Sequence, residues 1–284
     1  MGSDHDHAAL DMDWLLACVQ AGQTPDEMID ALVGVGWRRQ AAMDAVESGL
    51  RAYLDRHARE NALPAPVRVP APVAANGPSV LEIDGRRIQV LLNIVHPRVV
   101  VFGNLLDAEE CEALIAGARG RLRRSTTLNL EDGSDETHPA RTSEGAYFRR
   151  GEDPLVARIE ARIARLLDWP ASHGEDMQIL RYGPGAEYQP HYDYFEPERP
   201  GSAATLARGG QRVASLVMYL NTPAAGGGTG FPDARMEVGA VQGNAVFFSY
   251  DRPHPMTGSL HAGLPVREGE KWVATKWLRE REHR

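Results

Sequence analysis

The polar and apolar positions of this chain change their period along its length. Up to about residue 60 they repeat as on amphipathic helices. Trp14, Leu15, Cys18 and Val19 form one stripe. Thr24 and Pro25 supply an N-cap and a first-turn proline for a second helix, with Met28, Ile29, Leu32 and Val33 turned inward until Gly34 and Gly36 break it. Ala41–Leu54 gives a third helix. From Val80 the period becomes two: VLEI and RRIQVLL flank Asp84-Gly85, a hairpin signal. Arg98–Phe102 is a further strand. Two helices follow. The first starts at Asp107, with Glu110 at the capping-box position; the second runs from Asp153-Pro154 to Trp169, where Pro170 stops it. Then come strands over Gln178–Tyr182, Val213–Leu220, Ala245–Tyr250, Ser259–His261 and Trp272–Leu278, at spacings that suggest a closed or double-sheet β fold.

Five prolines in residues 62–78 mark a linker. The expected organisation is therefore a small helical bundle over 1–61, a Pro-rich linker over 62–78 and a mainly β domain with flanking helices over 79–284. The bundle, with its Gly36-Trp37 turn, faintly resembles ubiquitin-associated modules, and such a head would bind a protein partner. Two long polar segments, 125–146 and 195–212, interrupt the β domain and are expected to act as lids.

Composition narrows the function by exclusion. A formal net charge of −8 argues against general nucleic-acid binding, and the longest apolar runs are too short to span a bilayer. Cys18 and Cys111 are too few for a disulfide framework or a thiolate zinc site, and their apolar contexts make them buried small hydrophobes. The acidic start MGSDHDHAALDMD lacks the basic-then-apolar order of a secretory signal, so the expected setting is cytoplasmic.

Candidate chemistry begins at YGPGAEYQPHYDY, residues 182–194. On a strand, His191 and Asp193 leave on one face and converge on a point where a metal could sit. The spacing alone proves nothing. Ten histidines and 39 acidic residues produce one or two such pairs by chance, and His173-x-Glu175 is another, set aside as a loop pair after a helix stop. A two-histidine, one-carboxylate face on an octahedral iron requires a further histidine. His261 is preferred over His254, which is wedged between prolines, and His261 is expected to pair with the next strand. On that next strand Lys271, Val273, Thr275 and Trp277 share a face, so Lys271 is costly to bury unless it meets an anion.

These motifs resemble the prolyl 4-hydroxylase family of 2-oxoglutarate- and iron(II)-dependent dioxygenases. Tyr182, Gly185, Tyr188, His191 and Asp193 match one family pattern. Gly226–Pro232 matches a second, with glycine where an acidic residue is common, and Leu260–Trp277 matches a third. The likeness spans roughly residues 98–279. It implies a double-stranded β-helix, or jelly roll, with His191, Asp193 and His261 holding Fe(II). It implies 2-oxoglutarate and O2 as cosubstrates, with ascorbate as a reductant. Lys271, Tyr182 and Thr229 would bind the 2-oxoglutarate, while Tyr188, Trp277 and Arg141 would face substrate. The implied reaction is hydroxylation of a prolyl residue in a peptide or protein, releasing succinate and CO2. The alternatives are the same chemistry on a free amino acid or other small molecule, a non-catalytic binding module, and a zinc hydrolase, which would have no need of Lys271.

Overall fold

The computed structural model describes residues 10–74, 76–129, 131–136 and 138–284. Residues 1–9, 75, 130 and 137, which belong to the expected head, linker and first loop, lie outside the described residues. The chain divides into two units, Met1–Ala65 and Pro66–Arg284.

In the first unit, helices α1 (Met12–Gln20), α2 (Pro25–Gly34) and α3 (Arg39–Glu60) enclose a core of Leu15, Cys18, Met28, Ile29, Leu32, Ala42 and Val46. Thr24 and Glu27 cap α2 reciprocally, as a threonine three residues before a glutamate should. Val33 does not turn inward; it is 37% exposed, because Met28, Ile29 and Leu32 already fill the stripe.

The second unit begins earlier than expected. From Pro66 onward the segment read as a linker is bound to the β domain. The Val67 amide donates to the Asp251 carbonyl (2.7 Å), the Arg98 guanidinium donates to the Val73 carbonyl (2.5 Å), and Val73 is buried in the core. The prolines keep most of this stretch extended, with the Gly77 amide donating to the Ala74 carbonyl (3.0 Å) near its end, and this leaves carbonyls such as that of Val73 for outside donors.

Among the described residues, the main sheet has nine antiparallel strands. In spatial order they are Val80–Ile83, Arg86–Ile94, Val99–Gly103, Ala245–Ser249, Arg212–Tyr219, Lys271–Arg279, Met177–Tyr182, Glu144–Phe148 and Arg123–Arg124. One face carries α4 (Ala108–Arg119) and α5 (Pro154–Leu167). Val156, Ile159, Ile163, Leu166 and Leu167 of α5 pack there with Phe102, Trp272 and Ala274. Asp107 caps α4 by accepting from the Glu110 amide (2.7 Å), and the Glu110 carboxylate then takes a bidentate pair from Arg162 of α5 (2.8 Å to each oxygen). The opposite face meets a four-stranded sheet ordered Met236–Val238, Thr229–Phe231, His261–Gly263, Tyr188–His191. The two sheets enclose Leu180, Tyr182, Tyr219, Phe231, Val246, Phe248 and Val273. This is a jelly roll with helices packed outside, and the functional residues line its interior.

Candidate active site

The three expected metal ligands meet. Ligand atoms of His191, Asp193 and His261 lie within 4.8 Å of one another, with His191 Nε2 3.7 Å from Asp193 Oδ1 and His261 Nε2 3.5 Å from Asp193 Oδ2. The elements that bring them together differ from expectation in two respects. Asp193 lies past the end of the Tyr188–His191 strand, so a bend rather than a shared strand face turns its carboxylate inward. The strand of His261 does not pair with the strand of Lys271. It pairs with the strand of His191, the two histidines being register partners. His254 stays outside the cluster, its Nδ1 accepting from the Met256 amide (3.1 Å).

The donor set fits iron(II). His191 Nδ1 is 2.8 Å from the Gln189 carbonyl and His261 Nδ1 is 3.0 Å from the Ser259 carbonyl. A carbonyl only accepts, so each Nδ1 carries the proton and each Nε2 offers a lone pair to the shared point. Burial, then the neighbouring His261, pushes the His191 imidazole toward its neutral form. Burial would raise Asp193, but His261, His191 and Arg212 outweigh it and hold the carboxyl below its usual range. Ser215 Oγ donates to Asp193 Oδ2 (2.5 Å) and fixes its rotamer. Two imidazoles and one carboxylate at a single point leave half of an octahedron open.

Lys271, Tyr182 and Thr229 line the same chamber as the triad. Lys271 is 2% exposed, with its ammonium 3.3 Å from the Gly228 carbonyl and 5.1 Å from the Tyr182 ring centroid. Among the described residues it has no carboxylate partner. Burial lowers its pKa to about 8. Tyr219 Oη donates to Thr229 Oγ1 (2.8 Å), leaving the Thr229 proton free to donate in turn.

A cleft of about 490 Å³ opens beside this chamber, with Tyr188 and Trp277 on its wall. Tyr188 stacks on His191 at 3.5 Å between centroids, and the Arg141 guanidinium covers Tyr188 at 4.9 Å. Arg141 is buried, donating to the Thr126 carbonyl and Gln178 Oε1 (2.9 Å each), while its Nε has no partner among the described residues. Both long loops contribute to the cleft, through Thr126 and Thr127 on one side and Glu196, Thr205 and Arg208 on the other.

Several site residues escaped the sequence reading. Arg212 lies 4.1 Å over Trp277 and makes a bidentate pair with Glu175 (2.7 and 2.8 Å). Arg279 donates to the same carboxylate (2.9 Å). Burial would raise Glu175, but the two guanidiniums hold it down at about 2. The loop pair set aside above therefore contains no metal ligand but does contain a wall residue. For Arg279 the signal was present, since strand alternation from Trp277 reaches it in one step.

A fold of this kind with a His-x-Asp…His triad defines a 2-oxoglutarate–iron(II) oxygenase, and the 2OG-Fe(II) oxygenase superfamily model matches residues 177–279. The chain is 38% identical over 209 residues to the probable prolyl 4-hydroxylase 3 of Arabidopsis thaliana, covering 66% of this chain and 71% of that protein. It is 36% identical over 207 residues to prolyl 4-hydroxylase 2 of the same plant, covering 64% and 67% respectively. It is also similar to the solved 2-oxoglutarate complex of the viral collagen prolyl hydroxylase of Paramecium Bursaria Chlorella virus-1. That match has 29% identity and a TM-score of 0.49, covering 64% of this chain and 95% of that one. The chain belongs to the prolyl 4-hydroxylase family of 2-oxoglutarate- and iron(II)-dependent oxygenases.

Proposed function

We propose that this protein is a dioxygenase that uses iron(II), 2-oxoglutarate and O2 to hydroxylate a prolyl residue in a peptide or protein. The observation that carries the reading is the pairing of two features in one chamber: a triad fit for iron(II) and a buried lysine with no carboxylate partner among the described residues. Iron(II) held by His191, Asp193 and His261 supplies, when bound, the coupling of 2-oxoglutarate decarboxylation to insertion of one oxygen atom into an unactivated C–H bond. The chain's own residues do the rest. Lys271 pairs with the distal carboxylate of 2-oxoglutarate, whose charge compensates the buried ammonium. Thr229 and Tyr182 offer hydroxyls to the same acid. Ser215 keeps Asp193 turned toward the metal. Tyr188 and Trp277 present flat rings against which a prolyl ring packs.

A peptide suits the site better than a free amino acid, because the cleft continues beyond the triad to both long loops. The proposal extends to ascorbate as reductant, a cytoplasmic setting and a protein partner for the helical head.

The test is incubation with iron(II), 2-oxoglutarate and proline-containing peptides, followed by mass spectrometry and a succinate assay. The reading expects the mass of one oxygen atom added to proline in step with succinate, and neither product with His191→Ala. Failure to form succinate under any substrate would contradict it.

A further inference from the structure

The cleft wall carries four guanidiniums, Arg141, Arg208, Arg212 and Arg279, and four carboxylates, Glu175, Asp176, Asp193 and Glu196, and they are unevenly paired. Arg212 and Arg279 share the single carboxylate of Glu175. Arg141 and Arg208 have no carboxylate partner among the described residues. Of the other acids of the wall, Asp193 belongs to the triad, Glu196 meets Arg199 (3.1 Å), which Glu131 also approaches (3.7 Å), and Asp176 accepts from the neutral Arg150 amide (3.0 Å) and keeps its charge. The four guanidiniums differ in what they can still do. Arg141 is stacked on Tyr188 beside the triad and held by two acceptors. Arg279 is buried and Arg212 partly buried against Glu175. Arg208 is exposed on the rim, at the end of the short helix Ser202–Ala207, and its long side chain is free to follow a ligand.

We infer, building on the prolyl hydroxylase reading, that the cleft takes a peptide with an acidic residue flanking the target proline, and that Arg208 determines this specificity. A glutamate or aspartate beside the proline would meet Arg208 at the rim and the surplus charge of the Arg212–Arg279 pair further in. A lysine at that place would face like charges. The chain's net charge of −8 does not oppose this. At physiological salt, charges beyond about 8 Å are largely screened, so only the cleft's own groups act on a seated peptide.

The test uses three peptide series, identical except for a glutamate, glutamine or lysine placed at successive positions on either side of one proline. The readout is hydroxylation kcat/KM for each peptide. We expect the best glutamate peptide to exceed its lysine counterpart about tenfold, one charge contact's worth. That ratio should shrink as salt rises and fall below one in Arg208→Glu. Being a ratio within one enzyme preparation, it is insensitive to loss of folded protein. Equal efficiency across the three series would overturn the inference and leave the prolyl hydroxylase reading intact. A glutamate preference unmoved by Arg208→Glu would overturn the role of Arg208. Hydroxylation of none of the peptides, with no succinate formed, would overturn both readings.

Discussion

The strand Lys271–Arg279 buries a lysine on each face, and the two faces treat it in opposite ways. Both ammonium-bearing residues are 2% exposed. On the outer face, Lys276 donates to the Glu160 carboxylate on α5 and to the Glu175 carbonyl. On the inner face, Lys271 has one long contact to the Gly228 carbonyl (3.3 Å) and the faces of Tyr182 and Tyr219 at 5.1 and 6.0 Å. Burial of a charge costs several kcal/mol unless something compensates it. The outer face supplies the compensation from the chain itself, so its lysine belongs to the fold. The inner face offers no carboxylate among the described residues, and the proposed function assigns its lysine to the site.

Four outcomes would sharpen or break that contrast. The largest concerns Lys276→Met. It strands Glu160 without its cation and should cost about 3–5 kcal/mol of unfolding free energy, read by urea denaturation. The folded fraction should keep its affinity for 2-oxoglutarate; a large loss of affinity at unchanged stability would erase the distinction between the faces. Next, Lys271→Met should weaken 2-oxoglutarate binding about a hundredfold while leaving stability equal or higher, since it removes an uncompensated charge.

The third outcome is a pH dependence. Unfolded, Lys271 keeps its proton up to its ordinary pKa of 10.5; folded, it releases it near 8. Between those values the unfolded chain binds more protons, so stability contributed by this group rises with pH. The unfolding free energy of wild type minus Lys271→Met should therefore climb by roughly 2 kcal/mol from pH 7 to pH 10. Lys276, whose ammonium is paired, should show less of this. The smallest outcome concerns Tyr219→Phe, which removes the donor to Thr229 Oγ1 and should cost about 1 kcal/mol with a few-fold rise in the KM for 2-oxoglutarate.

Much of this contrast was legible in the sequence because it depends on local rules. Strand alternation put Lys271 with Val273, Thr275 and Trp277 and left Lys276 on the other face, and the structure keeps both groupings. The N-cap at Thr24 and the capping box at Asp107 depend on local spacing and appear as expected. What depended on long-range pairing was not legible. Nothing near His261 says that its strand lies against that of His191, because register between distant segments is set by the closed barrel and not by either segment. Glu175 looked like a loop acid because the arginines that hold it come from two strands far along the chain. The proline-rich stretch from Pro66 onward looked free because its anchors, Asp251 and Arg98, lie outside it in the sequence.

The most direct test of the central claim is a calorimetric titration of 2-oxoglutarate into the anaerobic, iron(II)-loaded protein, run on wild type and Lys271→Met. The account predicts saturable binding near one equivalent for wild type and an affinity about a hundredfold lower for the variant. Equal affinity in the two proteins, or no binding by wild type, would contradict the assignment of the inner lysine to the cosubstrate.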